Sequence, residues 1–204
     1  MDDLKDKVVL ITGAGKGSGC LLAQAFAERG AAVALNDISP INVEEVMNQI
    51  TAKGGRARIY IDDVAKKVAV QNIINQVEDD FGRLDILVNH AAVDPHVPVL
   101  DMDEWDWHRV LDVNLTGAFL MTQSAGRVMR AQGSGVIINL ITETTGDENR
   151  EAAFIASMSG LKGFTHQAAR ELSPYGIQVY SIENRPAEII DMVFGLLGLQ
   201  LEGR

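Results

Sequence analysis

Five apolar β-type runs alternate with helical stripes along this chain, and a sixth follows the last long helix, an order that few architectures accommodate. Lys7–Thr12 (KVVLIT) is a continuous branched run that stops at glycines, the pattern of a strand buried on both faces. Leu21, Leu22, Ala25 and Phe26 then form a helical stripe closed by Gly30. Ala32–Asn36 is the second strand, and Val43, Val46, Met47 and Ile50 repeat at helical spacing up to Gly54-Gly55. Ala57–Ile61 is the third strand, followed by a stripe of Val70, Ile73, Ile74, Val77 and Phe81, and Leu84–Asn89 is the fourth. A long helix is expected from Glu104 to about Ala131, a fifth strand over Gly135–Ile141, a helix from about Glu151 to Leu172, and a sixth strand over Ile177–Ile182. Strands separated by helices of this length need right-handed crossovers, so the expected architecture is α/β, a doubly wound parallel sheet between two helical layers.

Length and composition set the outer bounds. With 204 residues and no linker, repeat or low-complexity tract, residues 1–204 read as one domain. Hydrophobic residues make up 47% and charged residues 23%, which excludes a disordered chain. Cys20 is the lone cysteine, so no disulfide forms within the chain, and a reducing cytoplasm fits best. The N-terminus MDDLKDKVVLITGAG lacks the basic flank of a leader, and no stretch has the ~18 apolar residues of a membrane span. A soluble cytoplasmic protein with no membrane partner is expected. Eighteen basic against twenty-eight acidic residues give a charge of −10, which argues against a general nucleic-acid binder. Ten acidic residues face two arginines between Glu78 and Asp112, the composition of solvated helix faces and caps. No metal site is expected.

TGAGKGSG, Thr12 to Gly19, lies directly between the first strand and its helix. Glycines there allow a tight turn, and they let backbone N–H groups and the helix N-terminus approach a pyrophosphate. Asp37 closes the second strand, where a carboxylate accepts from a ribose 2′-OH and repels a 2′-phosphate; this favours NAD over NADP. Lys16, a cation inside the loop, points toward the 2′-phosphate, but the carboxylate acts on that group directly.

These motifs, in this order, resemble the classical branch of the short-chain dehydrogenase/reductase family, and the resemblance covers nearly the whole chain to about Ile182. TGAGKGSG matches the family's TGxxxGxG, and Asp63-Val64 matches the pair that contacts adenine. Asn89-His90-Ala91-Ala92 stands where the family has NNAG, and Asp112-Val113-Asn114 matches the segment whose Asn supports the active site. The resemblance implies a Rossmann-type sheet of six or seven strands. It also implies a dinucleotide held by Gly13, Lys16, Gly17, Ser18, Gly19, Asp37, Asp63, Val64 and Asn89. His90 could titrate near neutrality, but a loop substitution beside a cofactor needs no chemistry.

At the catalytic end the resemblance implies losses. The family's Tyr protonates a carbonyl oxygen, a Lys one helical turn later lowers the Tyr pKa and holds the nicotinamide ribose, and a Ser polarises the carbonyl. Anchored by SGLKGFT, the Y-x-x-x-K stretch falls on Phe154 to Met158, which carry neither a proton nor a charge. The Ser position falls on Thr142, or on Ile141 if the loop is shifted by one. Lys162, one further turn along, should miss the ribose by about 5–6 Å. The family's Pro-Gly turn after the sixth strand is replaced by Glu183-Asn184-Arg185-Pro186-Ala187, and the C-terminal substrate lobe is expected to be shortened. Residues 187–204 read either as a last strand and turn at Leu199–Gly203 or as a helix over Ile189–Leu201 covering an apolar surface.

The leading expectation is therefore an NAD(H)-binding family member that has lost classical carbonyl reductase catalysis and acts as a cofactor-sensing or interaction subunit. The alternative is an active NAD(P)-dependent oxidoreductase of 3-oxoacyl or other carbonyl compounds, with a displaced proton donor among Thr142, Glu143 and His90. A third reading is a structural partner without nucleotide. Assembly as a homodimer or homotetramer through the helices around 104–131 and 151–172 is expected.

Overall fold

All five residues of β1 (Val8–Thr12) are buried, because β1 lies at the centre of a parallel sheet covered on both faces. The computed structural model describes residues 3–142 and 151–199. Its elements follow as α1 (Gly17–Glu28), β2 (Ala32–Asp37), α2 (Pro40–Ala52), β3 (Arg56–Ile61), α3 (Lys67–Phe81), β4 (Ile86–Asn89), α4 (Glu104–Leu111), α5 (Ala118–Gln132), β5 (Gly135–Ile141), α6 (Ala152–Leu172), β6 (Ile177–Glu183) and α7 (Ile189–Leu196). Among the described residues six strands form one sheet in the order β3-β2-β1-β4-β5-β6, every pairing parallel. The doubly wound expectation is met, with six strands among the described residues.

Alternation along β1 explains its unbroken apolar run. Val9 and Ile11 point to the face packed by Leu22 and Phe26 of α1, Val43 and Ile50 of α2, and Phe194 of α7. Val8 and Leu10 point to the opposite face, against Ile73 and Val77 of α3 and Met121 of α5. A side chain of this size contributes about 1.5–3 kcal/mol on full burial, so a polar residue on either face would be costly. One end of β1 is fixed by Asp85, whose carboxylate accepts from the Val8 N–H at 2.9 Å, from Lys7 Nζ at 3.2 Å and from the Arg83 guanidinium. Burial alone would raise the Asp85 pKa, but Arg83, the Val8 N–H and Lys7 together hold it below the ordinary carboxylate value.

The helix expected from Glu104 to about Ala131 is continuous to Gln132, but not uniform. Over Asp112–Gly117 it loosens into a π turn between α4 and α5. That inserted width turns Val113 and Asn114 inward while Trp105 stays on the surface. In the C-terminal segment a helix forms over Ile189–Leu196, shorter than the expected Ile189–Leu201. Phe194 of α7 meets Phe26 edge-on at a centroid distance of 5.3 Å, and the Arg29 guanidinium lies 5.0 Å above the Phe194 ring. Leu199 is not in a strand, and the rest of Leu199–Gly203 lies outside the described residues.

Sheet order also fixes the place for a ligand. The chain runs from β1 outward to β3, then crosses back so that β4 pairs with the other side of β1. The loops after β1 and β4 therefore diverge and leave a crevice at the carboxyl ends of the strands.

Candidate functional site

The loop after β1 is folded tightly enough that two of its glycines are required. Gly13 has φ +64°, and a Cβ there would stand 2.9 Å from Ala91 Cα. A Cβ on Gly15 would meet Asp37 Oδ2 and Asn42 Cβ at 2.8 Å. Thr12 secures the loop that follows β4, its Oγ1 accepting from the His90 and Ala91 N–H groups at 3.0 and 3.1 Å. His90 Nδ1 lies 3.0 Å from the Gly13 carbonyl oxygen; that oxygen can only accept, so Nδ1 carries the proton. Burial of His90 holds its pKa below the ordinary histidine value, which keeps the ring neutral at pH 7. His90 thus serves as a brace for the glycine loop.

At the adenosine end the carboxylate of Asp37 is oriented by two backbone donors, Gly15 N–H on Oδ2 and Ser39 N–H on Oδ1, each at 2.9 Å. Asn36 beside it donates through Nδ2 to the Tyr60 and Asp62 carbonyls, which ties the end of β2 to the Asp62-Asp63-Val64 turn. Asp63 Oδ1 accepts from the Ala65 N–H, and its Oδ2 lies 3.4 Å from Arg109 Nη1 on α4. Gly13, Lys16, Asp37, Asp63 and Val64 all line one cleft of about 380 Å³. Its far end is lined by Thr142, Met158 and Asn184.

Gly17, Ser18, Gly19 and Asn89 are not in that lining. Ser18 is buried and donates its hydroxyl to Asn184 Oδ1 at 2.5 Å, and Asn184 Nδ2 lies 3.4 Å from Thr142 Oγ1. A polar chain thereby links the start of α1 to the ends of β5 and β6. Asn89 turns inward, donating to Asn139 Oδ1 at 2.8 Å and to Thr122 Oγ1 at 3.3 Å; Asn139 in turn donates to Thr165 Oγ1 at 2.8 Å. Its role here is to join β4 to β5 and to α6 beneath the cleft floor.

Asn114 supports the site from the π turn. Its Oδ1 accepts from the Val93 N–H at 2.8 Å, and its Nδ2 donates to the Val93 carbonyl at 3.0 Å and to Ser157 Oγ at 3.1 Å. The loop after β4 is so fixed to α6. Phe154 is buried in a cluster with Ala118, Ile141, Met158 and Leu161. Lys162 is exposed and is absent from the cleft lining; it shares a shallow depression with Ile141, Ile155 and Met158. Glu143 lies outside the described residues.

Asn184 and Arg109 line the cleft with no motif to mark them in the sequence. For Asn184 the available signal is its position at the carboxyl end of β6. Arg109 carried no signal, since a lone arginine in an acidic stretch reads as a surface residue.

The sheet order, the glycine loop at the switch point and the carboxylate ending β2 define a Rossmann-type nucleotide-binding domain. The sequence model of the short chain dehydrogenase family matches residues 7–189, and the chain belongs to that family of oxidoreductases. An uncharacterized oxidoreductase of Thermotoga maritima is 39% identical over 181 residues, 88% of this chain and 71% of that protein. An NAD⁺-bound xylitol dehydrogenase structure superposes with TM-score 0.84 at 36% identity, over 89% of this chain and 70% of that one. A metagenomic short-chain oxidoreductase in complex with NADP gives TM-score 0.90 at 30% identity, over 97% and 92%. The fold therefore belongs to nicotinamide-dinucleotide proteins, with both cofactors represented among its neighbours.

Proposed function

We propose that the cleft holds a nicotinamide dinucleotide, NAD in preference to NADP, and that the chain works on it as an oxidoreductase of a carbonyl/alcohol pair. The carboxylate of Asp37, held by Gly15 and Ser39 at the end of β2, supports the cofactor preference. The loop N–H groups and the N-terminus of α1 suit a pyrophosphate, and Val64 offers an apolar contact for adenine. The bound cofactor supplies or accepts the hydride. Thr142 is the hydroxyl at the far end of the cleft that can donate to a carbonyl oxygen, while Asn184 adjoins it from β6. His90 is occupied by Gly13 and is not the proton donor in this reading.

The relatives named as oxidoreductases and dehydrogenases favour this active reading over one without catalysis. A specific observation supports a second reading, in which the dinucleotide is bound but classical proton transfer is lost. Phe154 and Met158, at the positions matched to the family's Tyr and Lys, sit in an apolar cluster and offer neither a hydroxyl nor an ammonium. Loss of a general acid costs roughly 10²–10⁴ in rate. A single assay separates the two: NADH oxidation with polyol-derived and 3-oxoacyl carbonyl substrates by the wild type and by Phe154→Tyr/Met158→Lys. Ordinary rates in the wild type establish the active reading. Turnover that rises at least about 100-fold only in the double variant establishes the second. No change in nicotinamide fluorescence at millimolar NADH would overturn both. Assembly through α4, α5 and α6 as a homodimer or homotetramer and a cytoplasmic location complete the proposal; the lone Cys20 suits the latter.

A further inference from the structure

Outside the cleft, three potential metal ligands converge from distant parts of the chain. Asp94 and His96 lie in the loop after β4, and Glu151 stands at the N-terminal boundary of α6. Each offers one donor atom, and the three donors lie within 4.8 Å of one another. His96 Nδ1 is 3.7 Å from Asp94 Oδ2. The Glu151 residue is 2% exposed and the Asp94 side chain 11%, whereas the His96 ring is 47% exposed and gives solvent access.

The second observation is at Asp94 itself. Its Oδ1 accepts from the His96 N–H at 3.1 Å, but Oδ2 is buried and has no hydrogen-bond partner among the described residues. A buried carboxylate oxygen left without a partner is costly, and a cation beside it removes that cost. Asn114, clamped on both polar atoms of Val93, fixes the backbone directly before Asp94.

We propose that Asp94, His96 and Glu151 form a divalent-cation site that ties the loop after β4 to the start of α6. One imidazole and two carboxylates are a nitrogen–oxygen set suited to Zn²⁺, with water completing the shell. None of the three lines the nucleotide cleft, although Val93, next to Asp94, does.

Chelator-stripped full-length protein titrated calorimetrically with Zn²⁺, and with Co²⁺ as a visible-spectrum reporter, tests the site. One equivalent should bind with micromolar affinity, and a hundredfold excess over Kd should raise Tm by about 5–10 °C. Asp94→Asn and His96→Ala should each weaken binding about 10–100-fold. His96 is exposed, so its replacement leaves folding intact and decides the matter if Asp94→Asn misfolds. Absence of binding below 1 mM, or affinity unchanged by His96→Ala, which would place the ion elsewhere, overturns the proposal.

Discussion

A carboxylate that accepts two backbone N–H groups is fixed in orientation yet keeps lone pairs for a ligand, and Asp37 is placed in this way at the mouth of the cleft. Replacing it by Ser keeps a short polar group and removes the charge. Asp37→Ser should improve NADP(H) affinity relative to NAD(H) by about tenfold, about 1.4 kcal/mol, measured by fluorescence titration with both cofactors. Gly15→Ala should weaken NADH binding at least about tenfold, because its Cβ would displace that same carboxylate; thermal melting should change little by comparison. His90 gives a pH prediction. Its folded pKa lies below the unfolded value of about 6.5, so its share of stability is complete above that pH and is lost as pH falls below it. Urea denaturation from pH 7.5 to 5 should show this decline, and His90→Asn should flatten it. The glycines and Asp37 were legible because their types are dictated by close approach and by charge. Asn184 was not, because an Asn after a strand carries no message until Ser18 and Thr142 are seen on either side of it.

Elements reveal a different limit. Periodicity located β1 to β6 and α1 to α3 because buried faces impose spacing on sequence, but it gave the helix from Glu104 onward as one uniform rod. The π turn at Asp112–Gly117 is invisible to periodicity because it occupies one turn, and its purpose, turning Asn114 toward Val93 and Ser157, is a tertiary matter. The C-terminal segment is ambiguous for a related reason: nine apolar residues in thirteen over Ile189–Leu201 suit a covering helix, and Leu199–Gly203 suits a last strand and turn, until a partner face is known. That face is α1. Phe194→Ala should therefore cost about 3–5 kcal/mol in chemical denaturation, despite lying far from the cleft. Asp85 is the corresponding anchor at the other end of the sheet. Because its folded pKa is depressed, its contribution is present above the ordinary carboxylate range and is lost as pH falls through that range toward the folded value. Asp85→Asn should lower stability by about 2–3 kcal/mol at pH 7, and by less at pH 3.

At the scale of the whole molecule, α5 and α6 present an outer groove lined by Phe119, Gly126, Arg130, Phe164, Leu172 and Tyr175. Phe119 meets Phe164 edge-on at 5.9 Å, and the Arg130 guanidinium lies 5.5 Å above the Tyr175 ring. If the proposed assembly uses these helices, light scattering at tens of micromolar should report a dimer or tetramer, and Phe119→Glu should shift it to monomer. The strand order has a consequence in time as well as in space. β1 finds β2 after one short crossover, but its other neighbour, β4, is separated from it by the whole β2–β3 half of the sheet. No hairpin lets any pair close locally, so closure entropy must be spent before the central contacts return it. The half containing β1 to β3 can dock early, with the inner edge of β1 open until β4 arrives. Refolding should therefore be slow for a chain of this length, and the interval before β4 docks is when self-association is most to be expected, so yield should fall as protein concentration during refolding rises.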